Sequence, residues 1–156
     1  VIVSANRNIK EYQQLHQTVV VDDGDAYRGP LVGIFSAMQQ LQKSNPMSDW
    51  VVLAPCDAPL LDKSLVKKLI QHKQAPFSQY TALLPFDGTR YQPLFSMLPL
   101  TAMESLQNSI QQNLFKVSDW ILSLQPVVVE LSEIALSFEN INSLEQLNTI
   151  SNDRSP

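Results

Sequence analysis

The sequence WVVLAPCDAP, residues 50–59, is the stretch that decides the fold. All of its first five residues are apolar, and it leaves no room for an amphipathic helical repeat, so it predicts a strand buried on both faces of a sheet. The run then presents one carboxylate, Asp57, between Pro55 and Pro59. Ligands of open α/β sheets bind beyond the carboxyl ends of the strands, which makes Asp57 a candidate metal ligand. The alternative is that Asp57 only starts a turn, as an aspartate beside a proline often does.

Two further apolar runs end in polar residues. Residues 19–21 read VVV and precede Asp22, and a loop then leads to GPLVG at residues 29–33. Pro30 suits the first turn of a helix, where its missing N–H would have no partner anyway. Residues 1–3 read VIV and lead into SANR, residues 4–7, whose polar side chains are able to hydrogen-bond a base or a phosphate. The sequence therefore predicts a ligand edge built from several strand ends.

Strand and helix patterns alternate along the chain, which predicts an α/β layered sheet. Asp87 and Gly88 form a turn signal between two apolar runs, so a hairpin and some antiparallel pairing are expected. Asp62 is the predicted N-cap of the third helix. The predicted strands are 1–3, 18–21, 49–54, 80–84, 91–97 and 127–131, and the predicted helices are 9–15, 30–42, 62–72, 101–110, 118–124 and 143–150.

Composition restricts the class of protein. The chain has 156 residues, of which 44% are hydrophobic, and this length predicts one domain over residues 1–150 with a disordered tail at 151–156. Its net charge of −4 disfavours nucleic acid as a partner, and its apolar runs are too short to span a membrane. The single cysteine, Cys56, fits a reducing cytoplasm and is interpreted as a small buried residue at a strand end.

The motifs taken together resemble a known family. They are SANR (4–7), VVVDD (19–23), YRGPLVG (27–33), LAPCDAP (53–59) and FENINS (138–143), in that order. The combination is similar to the MobA-type nucleotidyltransferases, the molybdenum cofactor guanylyltransferases. The resemblance implies a three-layer Rossmann-like fold with a mostly parallel mixed sheet. Members of that family open with a strand and a glycine-rich phosphate loop that have no counterpart here, so either the chain is N-terminally incomplete or the protein lacks that loop.

The resemblance also implies a reaction and its site. Such enzymes transfer GMP from GTP to molybdopterin and release pyrophosphate, with Mg²⁺ as the expected cofactor. Asp57 then carries the catalytic and metal-binding role, and the residues matching nucleotide-side positions are Ser4, Asn6, Asp22 and Asn140. The family pattern has asparagine where Ser4 stands, which leaves base specificity open. Arg90 or Gln92 is hypothesised to contact the pterin, and molybdoenzymes or their chaperones are possible partners.

Two other functions stay open at this level. A noncatalytic module that binds the pterin or a partner protein would fit the lack of a phosphate loop. A nucleotidyltransferase that uses another base or acceptor would share the fold and the aspartate at position 57.

Overall fold

The structure is a computed structural model that describes residues 1–15, 17–21, 29–73, 82–141, 143 and 146 of the chain. Strands and helices alternate over most of these residues, as the sequence predicts. The strands are β1 (Ile2–Ser4), β2 (Thr18–Val20), β3 (Trp50–Val52), β4 (Leu83–Phe86), β5 (Met97–Pro99) and β6 (Val127–Glu130). The α-helices are α1 (Ile9–Gln14), α2 (Pro30–Ser44), α3 (Ser64–Lys73), α4 (Met103–Gln111) and α5 (Val117–Ser123). Short 3₁₀ helices span Pro93–Phe95, Leu100–Ala102 and Ser132–Phe138.

The described strands form two sheets. β1 and β2 are parallel, with Ser4 opposite Val20 at their carboxyl ends. The other four strands lie in the order β3-β5-β4-β6, in which β5 is antiparallel to both of its neighbours and β4 is parallel to β6. The predicted mixed α/β architecture is confirmed.

The turn at Asp87 and Gly88 joins β4 to a chain that returns antiparallel, as predicted. Leu83 pairs with Met97, and a single bridge joins Phe86 to Tyr91. The predicted strand 91–97 is nevertheless wrong over most of its length, because Pro93 begins a 3₁₀ helix and β5 starts only at Met97. Proline lacks the N–H that a sheet ladder needs, so the chain leaves the sheet at this position.

Alternating residues of the strands contribute to two hydrophobic core layers, one on each face of the sheet. Leu84 and Leu98 face the helices α2, α4 and α5, whereas Leu83 and Met97 face α3 and the chain around Phe138. This alternation is the two-residue period of a pleated strand, and it produces a sheet covered on both faces. The first layer also contains Leu31, Met38, Leu106, Trp120 and Ile121, and the second contains Leu65, Leu69, Phe95, Val129 and Leu131.

Helix α2 connects the two sheets. It contacts β1 and β2 directly, and its residues Leu31 and Met38 belong to the first core layer, against which Val51 and Leu53 also pack. Leu31 and Met38 are fully buried. The end of β3 and the pair β1-β2 are therefore positioned by the same helix.

One prediction about a side chain is wrong, and several others concern residues that the structure does not describe. Cys56 is exposed, so its interpretation as a buried residue is wrong. Asp22, the predicted helix 143–150 apart from residues 143 and 146, and the predicted tail 151–156 lie outside the described residues. Within the described part of the chain, every helix is too short or too polar to cross a bilayer.

Candidate functional site

Asp57 lies in the turn that follows β3. Leu53 extends the pairing of β3 by donating its N–H to the Ser96 carbonyl at 2.9 Å, and the chain then leaves the sheet. Asp57 is exposed, whereas its neighbour Ala58 is 5% exposed and packs in the second core layer. The Leu61 N–H closes the turn by donating to the Ala58 carbonyl at 3.2 Å. The carboxylate thus faces solvent from a loop that is anchored directly beside it.

The C-terminal segment lies against this loop. The Ile141 N–H donates to the Asp57 carbonyl at 2.7 Å, and the Asp62 N–H donates to the Ser137 hydroxyl at 3.1 Å. Phe138 packs edge-on against Phe95, with ring centroids 5.0 Å apart. Both ends of the Asp57–Asp62 loop are therefore held by residues 137–141. We call this pair of hydrogen bonds the C-terminal clamp.

The clamp brings two of the predicted site residues together. Asn140 is exposed and directly precedes Ile141, so it lies beside the Asp57 turn. An amide oxygen and an amide N–H₂ at this position are able to hydrogen-bond a phosphate or a metal-bound water next to the carboxylate.

Asp62 has a structural role at the start of α3. Its Oδ1 accepts the Ser64 N–H at 2.6 Å, and hydrogen bonds from the Ser64 side chain and backbone lower the pKa of Asp62 below its ordinary value. This is the capping function that the sequence predicts for Asp62, since a carboxylate satisfies a backbone donor of the first turn. Asp57 and Asp62 are thus two exposed carboxylates of one loop with different environments.

Two of the residues predicted to contact the nucleotide lie at the carboxyl end of β1. Ser4 is the exposed last residue of β1, and the Ala5 N–H donates to the Val20 carbonyl at 3.0 Å, which holds the two strand ends together. Asn6 is exposed immediately beyond them. Asp22, also predicted to contact the nucleotide, lies outside the described residues.

The Asp57 carboxylate fits a magnesium site in which the substrate supplies most of the ligands. The residues that the structure describes contain no group of three or more His, Cys, Asp and Glu side chains able to enclose a metal. Mg²⁺ is usually bound through one or two carboxylates together with substrate phosphates, and it keeps several waters. A single exposed carboxylate beside an amide meets that requirement when a nucleotide supplies the remaining oxygens.

A polar network around Asp87 was missed by the sequence analysis, which read this residue only as part of a turn. Asp87 Oδ1 accepts the N–H groups of Thr89 and Arg90, each at 2.8 Å, and Oδ2 accepts Gln92 Nε2 at 2.5 Å. Burial would raise the pKa of Asp87, but hydrogen bonds from Arg90, Gln92 and Thr89 outweigh it and the pKa is lowered. The sequence signal for this network is an aspartate directly before a glycine, since an aspartate in a turn often hydrogen-bonds to the backbone of its own loop.

This network separates the two residues hypothesised to contact the pterin. The Gln92 residue is 8% exposed and its side chain bonds to Asp87. The Arg90 side chain is 72% exposed, with Nε 3.6 Å from Asp87 Oδ2. Of the two side chains, that of Arg90 is therefore exposed, whereas that of Gln92 is held within the network.

Comparisons with known proteins place the chain in one family. A family model described as the MobA-like NTP transferase domain matches residues 1–125. The molybdenum cofactor guanylyltransferase of Cupriavidus metallidurans is 33% identical over 150 residues, which cover 94% of this chain and 71% of the relative. The protein of the same name from Shewanella woodyi is 31% identical over 146 residues, with coverages of 94% and 71%.

A solved structure shares the fold. It is the molybdopterin-guanine dinucleotide biosynthesis protein A of Archaeoglobus fulgidus, which superposes with a TM-score of 0.73 at 20% identity and covers 97% of this chain and 77% of that one. The family model spans most of the chain, including β1, β2, α2 and the Asp57 loop. The chain belongs to the MobA-like NTP transferase family of nucleotidyltransferases.

Proposed function

We propose that the protein transfers GMP from GTP to molybdopterin, forming the guanine dinucleotide cofactor and releasing pyrophosphate. The observation that carries the proposal is the C-terminal clamp, which places Asn140 beside the Asp57 turn at the end of β3. Relatives named molybdenum cofactor guanylyltransferase support the choice of GTP and molybdopterin as substrates.

The reaction requires positioning more than covalent participation by the protein. An oxygen of the acceptor phosphate attacks the α-phosphorus of GTP, the bond from that phosphorus to the oxygen bridging the β-phosphate breaks, and pyrophosphate leaves with the electron pair. The acceptor phosphate is already a nucleophile, so alignment of the reacting groups and neutralisation of charge account for most of the rate.

Asp57 would hold Mg²⁺, which neutralises phosphate charge when bound. The Asp57 carboxylate is exposed at the end of β3, and the exposed Asn140 amide would hydrogen-bond a phosphate oxygen next to it. Hydrogen bonds through backbone groups, rather than through the Asp57 side chain, hold the loop, so the carboxylate stays available to the metal.

The edge at Ser4 and Asn6 would bind the guanine base, with Asp22 contributing from the loop after β2. A carboxylate accepts two N–H bonds at once, which suits the donor edge of guanine and not that of adenine. Ser4 supplies a single hydroxyl, which donates one bond and accepts others, so the selection of guanine falls mainly on Asp22 in this proposal.

The test is a transfer assay with the purified full-length protein. GTP labelled at the α-phosphate is incubated with molybdopterin, and the dinucleotide and pyrophosphate are both quantified with and without Mg²⁺. We expect one pyrophosphate for each dinucleotide formed, loss of product on chelation of the metal, and weaker competition by CTP and ATP than by unlabelled GTP. Pterin binding without pyrophosphate release would identify a binding module instead, and equal competition by CTP would contradict the guanine assignment.

A further inference from the structure

Arg7 is a cation near the carboxyl end of β1. It follows Ser4 by three residues, in the bend that leads from β1 to α1. Three residues of chain span at most about 11 Å, so Arg7 lies close to the strand end at which the proposed function binds the base. The Arg7 side chain is exposed, and within the part of the chain that the structure describes it forms no hydrogen bond or ion pair.

The bend that carries Arg7 is held at both ends. On one side the Ala5 N–H donates to the Val20 carbonyl at 3.0 Å, and on the other two N–H groups of α1 donate to the Asn8 carbonyl at 3.1 and 3.2 Å. Asn8 has φ 53° and ψ 33°, the left-handed conformation, which asparagine adopts more readily than most residues. This conformation turns the chain into α1 directly after Arg7, so Arg7 stays near the end of β1.

Selection of guanine requires contacts with two different edges of the base. One edge carries the N1–H and amino donors, and the proposed function assigns a carboxylate to it. The other edge carries O6 and N7, which are both acceptors and therefore need a donor from the protein. Adenine has an amino group in place of O6, so a fixed donor at this edge attracts guanine and disfavours adenine. A carboxylate alone leaves this second edge without a partner.

The guanidinium group of Arg7 has the donor geometry that this second edge requires. It is planar and donates two parallel N–H bonds, and this fork matches O6 and N7 of guanine. The Ser4 hydroxyl donates only one bond. Lys10, the next cation along the chain, is exposed on α1, but an ammonium group is a point charge without a fork. Among the described residues at this edge, Arg7 is therefore the best match to the two acceptors.

We propose that Arg7 donates hydrogen bonds to O6 and N7 of the guanine base and so determines the preference for GTP over ATP. The inference rests on the proposed function for the location of the base at the end of β1. The competing role for an exposed arginine here is a contact with the triphosphate. A phosphate contact is the same for every nucleoside triphosphate, whereas a contact with O6 and N7 depends on the base, so the two roles are distinguished by varying the base.

The experiment measures the affinities of GTP, 7-deaza-GTP and ATP for the full-length protein by titration calorimetry in the presence of Mg²⁺. Arg7→Met removes both donors and keeps a long side chain, and Lys10→Met is the matched control at an exposed cation. The wild type should bind GTP about tenfold more tightly than 7-deaza-GTP, because the analogue lacks N7 and loses a hydrogen bond from a charged donor. In Arg7→Met this ratio should fall to about one, and the ratio between GTP and ATP should fall about tenfold. Lys10→Met should keep both ratios.

The ratios between nucleotides identify the outcome. Equal weakening of all three nucleotides in Arg7→Met would overturn the assignment, because it would indicate a phosphate contact, and unchanged affinities would overturn it as well. The dinucleotide assay on the same proteins separates this inference from the proposed function. Dinucleotide formation with ratios that do not depend on Arg7 would refute the inference alone. Ratios that depend on Arg7 in a protein that forms no dinucleotide would contradict the proposed function and leave the role of Arg7 in place.

Discussion

The Ile141 N–H donates to the carbonyl oxygen of Asp57 at 2.7 Å, across 84 residues of sequence. This bond joins the turn after β3 to the C-terminal segment, and the bond from the Asp62 N–H to Ser137 joins them a second time. Both bonds are donated by backbone N–H groups and neither is accepted by a carboxylate, so the geometry does not depend on the charge of either aspartate. The side chains of Asp57 and Asn140 are consequently left to interact with a ligand.

Replacing Asp57 by asparagine is expected to abolish GMP transfer without unfolding the protein. The loss should be about a hundredfold or more, because charge stabilisation by a bound metal is worth several kcal/mol. The fold should survive because the side chain is exposed and the bond to Ile141 uses the backbone carbonyl. The rate of dinucleotide formation and the thermal unfolding midpoint are the measurements.

Asp62→Asn is the matched control for that variant. Asp62 lies on the same loop, and asparagine caps a helix about as well as aspartate, so both activity and stability should stay near wild-type values. Equal activity in Asp57→Asn and Asp62→Asn would refute the catalytic role of Asp57.

Replacing Ile141 by proline should remove the clamp bond specifically. Proline has no N–H to donate to Asp57, so the loop carrying the carboxylate is expected to shift and transfer to fall by up to about 100-fold. Stability should fall by about 1 kcal/mol, the net value of one hydrogen bond. Ile141→Val keeps the donor and should keep the activity; a proline variant with the wild-type rate would show that the clamp is dispensable.

Local sequence pattern predicts much of this fold. The apolar run at residues 50–54 and the apolar face of residues 31–41 mark β3 and α2, because burial imposes a period on each. The position of β5 between β3 and β4 was not predictable in this way, since pairing partners distant in sequence leave no periodic signal. Pro93 explains the shortened strand only once the register is known.

The candidate site was likewise predictable from the sequence only in part. Asp57 stands out in the sequence because prolines bracket it after a buried strand. The contact between the Asp57–Asp62 loop and residues 137–141 does not stand out in the sequence. The bond between Asp62 and Ser137 joins residues 75 positions apart and uses a backbone N–H and a serine hydroxyl, which are common groups in any chain.

Ser96→Ala is expected to stabilise the protein. The Ser96 side chain is fully buried, and its hydroxyl has no hydrogen-bond partner among the described residues. Alanine removes the cost of burying that group, so the free energy of unfolding should rise by about 1 kcal/mol. Ser137→Ala is the matched control, because Ser137 is equally buried but accepts the Asp62 N–H, and its loss should lower the same quantity by about 1 kcal/mol. A destabilised Ser96→Ala protein would mean that the hydroxyl is bonded after all.

The Asp87 network predicts a dependence of stability on pH. Burial acts to raise the pKa of Asp87, but hydrogen bonds from Arg90, Gln92 and Thr89 hold this pKa below its ordinary value of 3.8. The unfolded chain therefore takes up the proton first, and the stabilisation is complete above about pH 4 and is lost as the pH falls through the lowered pKa. Unfolding midpoints of the wild type and Asp87→Asn, measured from pH 7 to pH 3, should differ most at neutral pH and converge in acid.

Asp119→Asn provides the comparison for this pH series. Asp119 pairs with Lys116 at 3.1 Å, but both side chains are largely exposed, so the substitution should change the midpoint little at any pH. A gap between wild type and Asp87→Asn that stays constant down to pH 3 would contradict the argument, because it would show that the amide differs from the carboxyl group for a reason other than charge. A gap that closes in acid would instead establish that the ionised carboxylate of Asp87 holds the turn, and with it Arg90, in place.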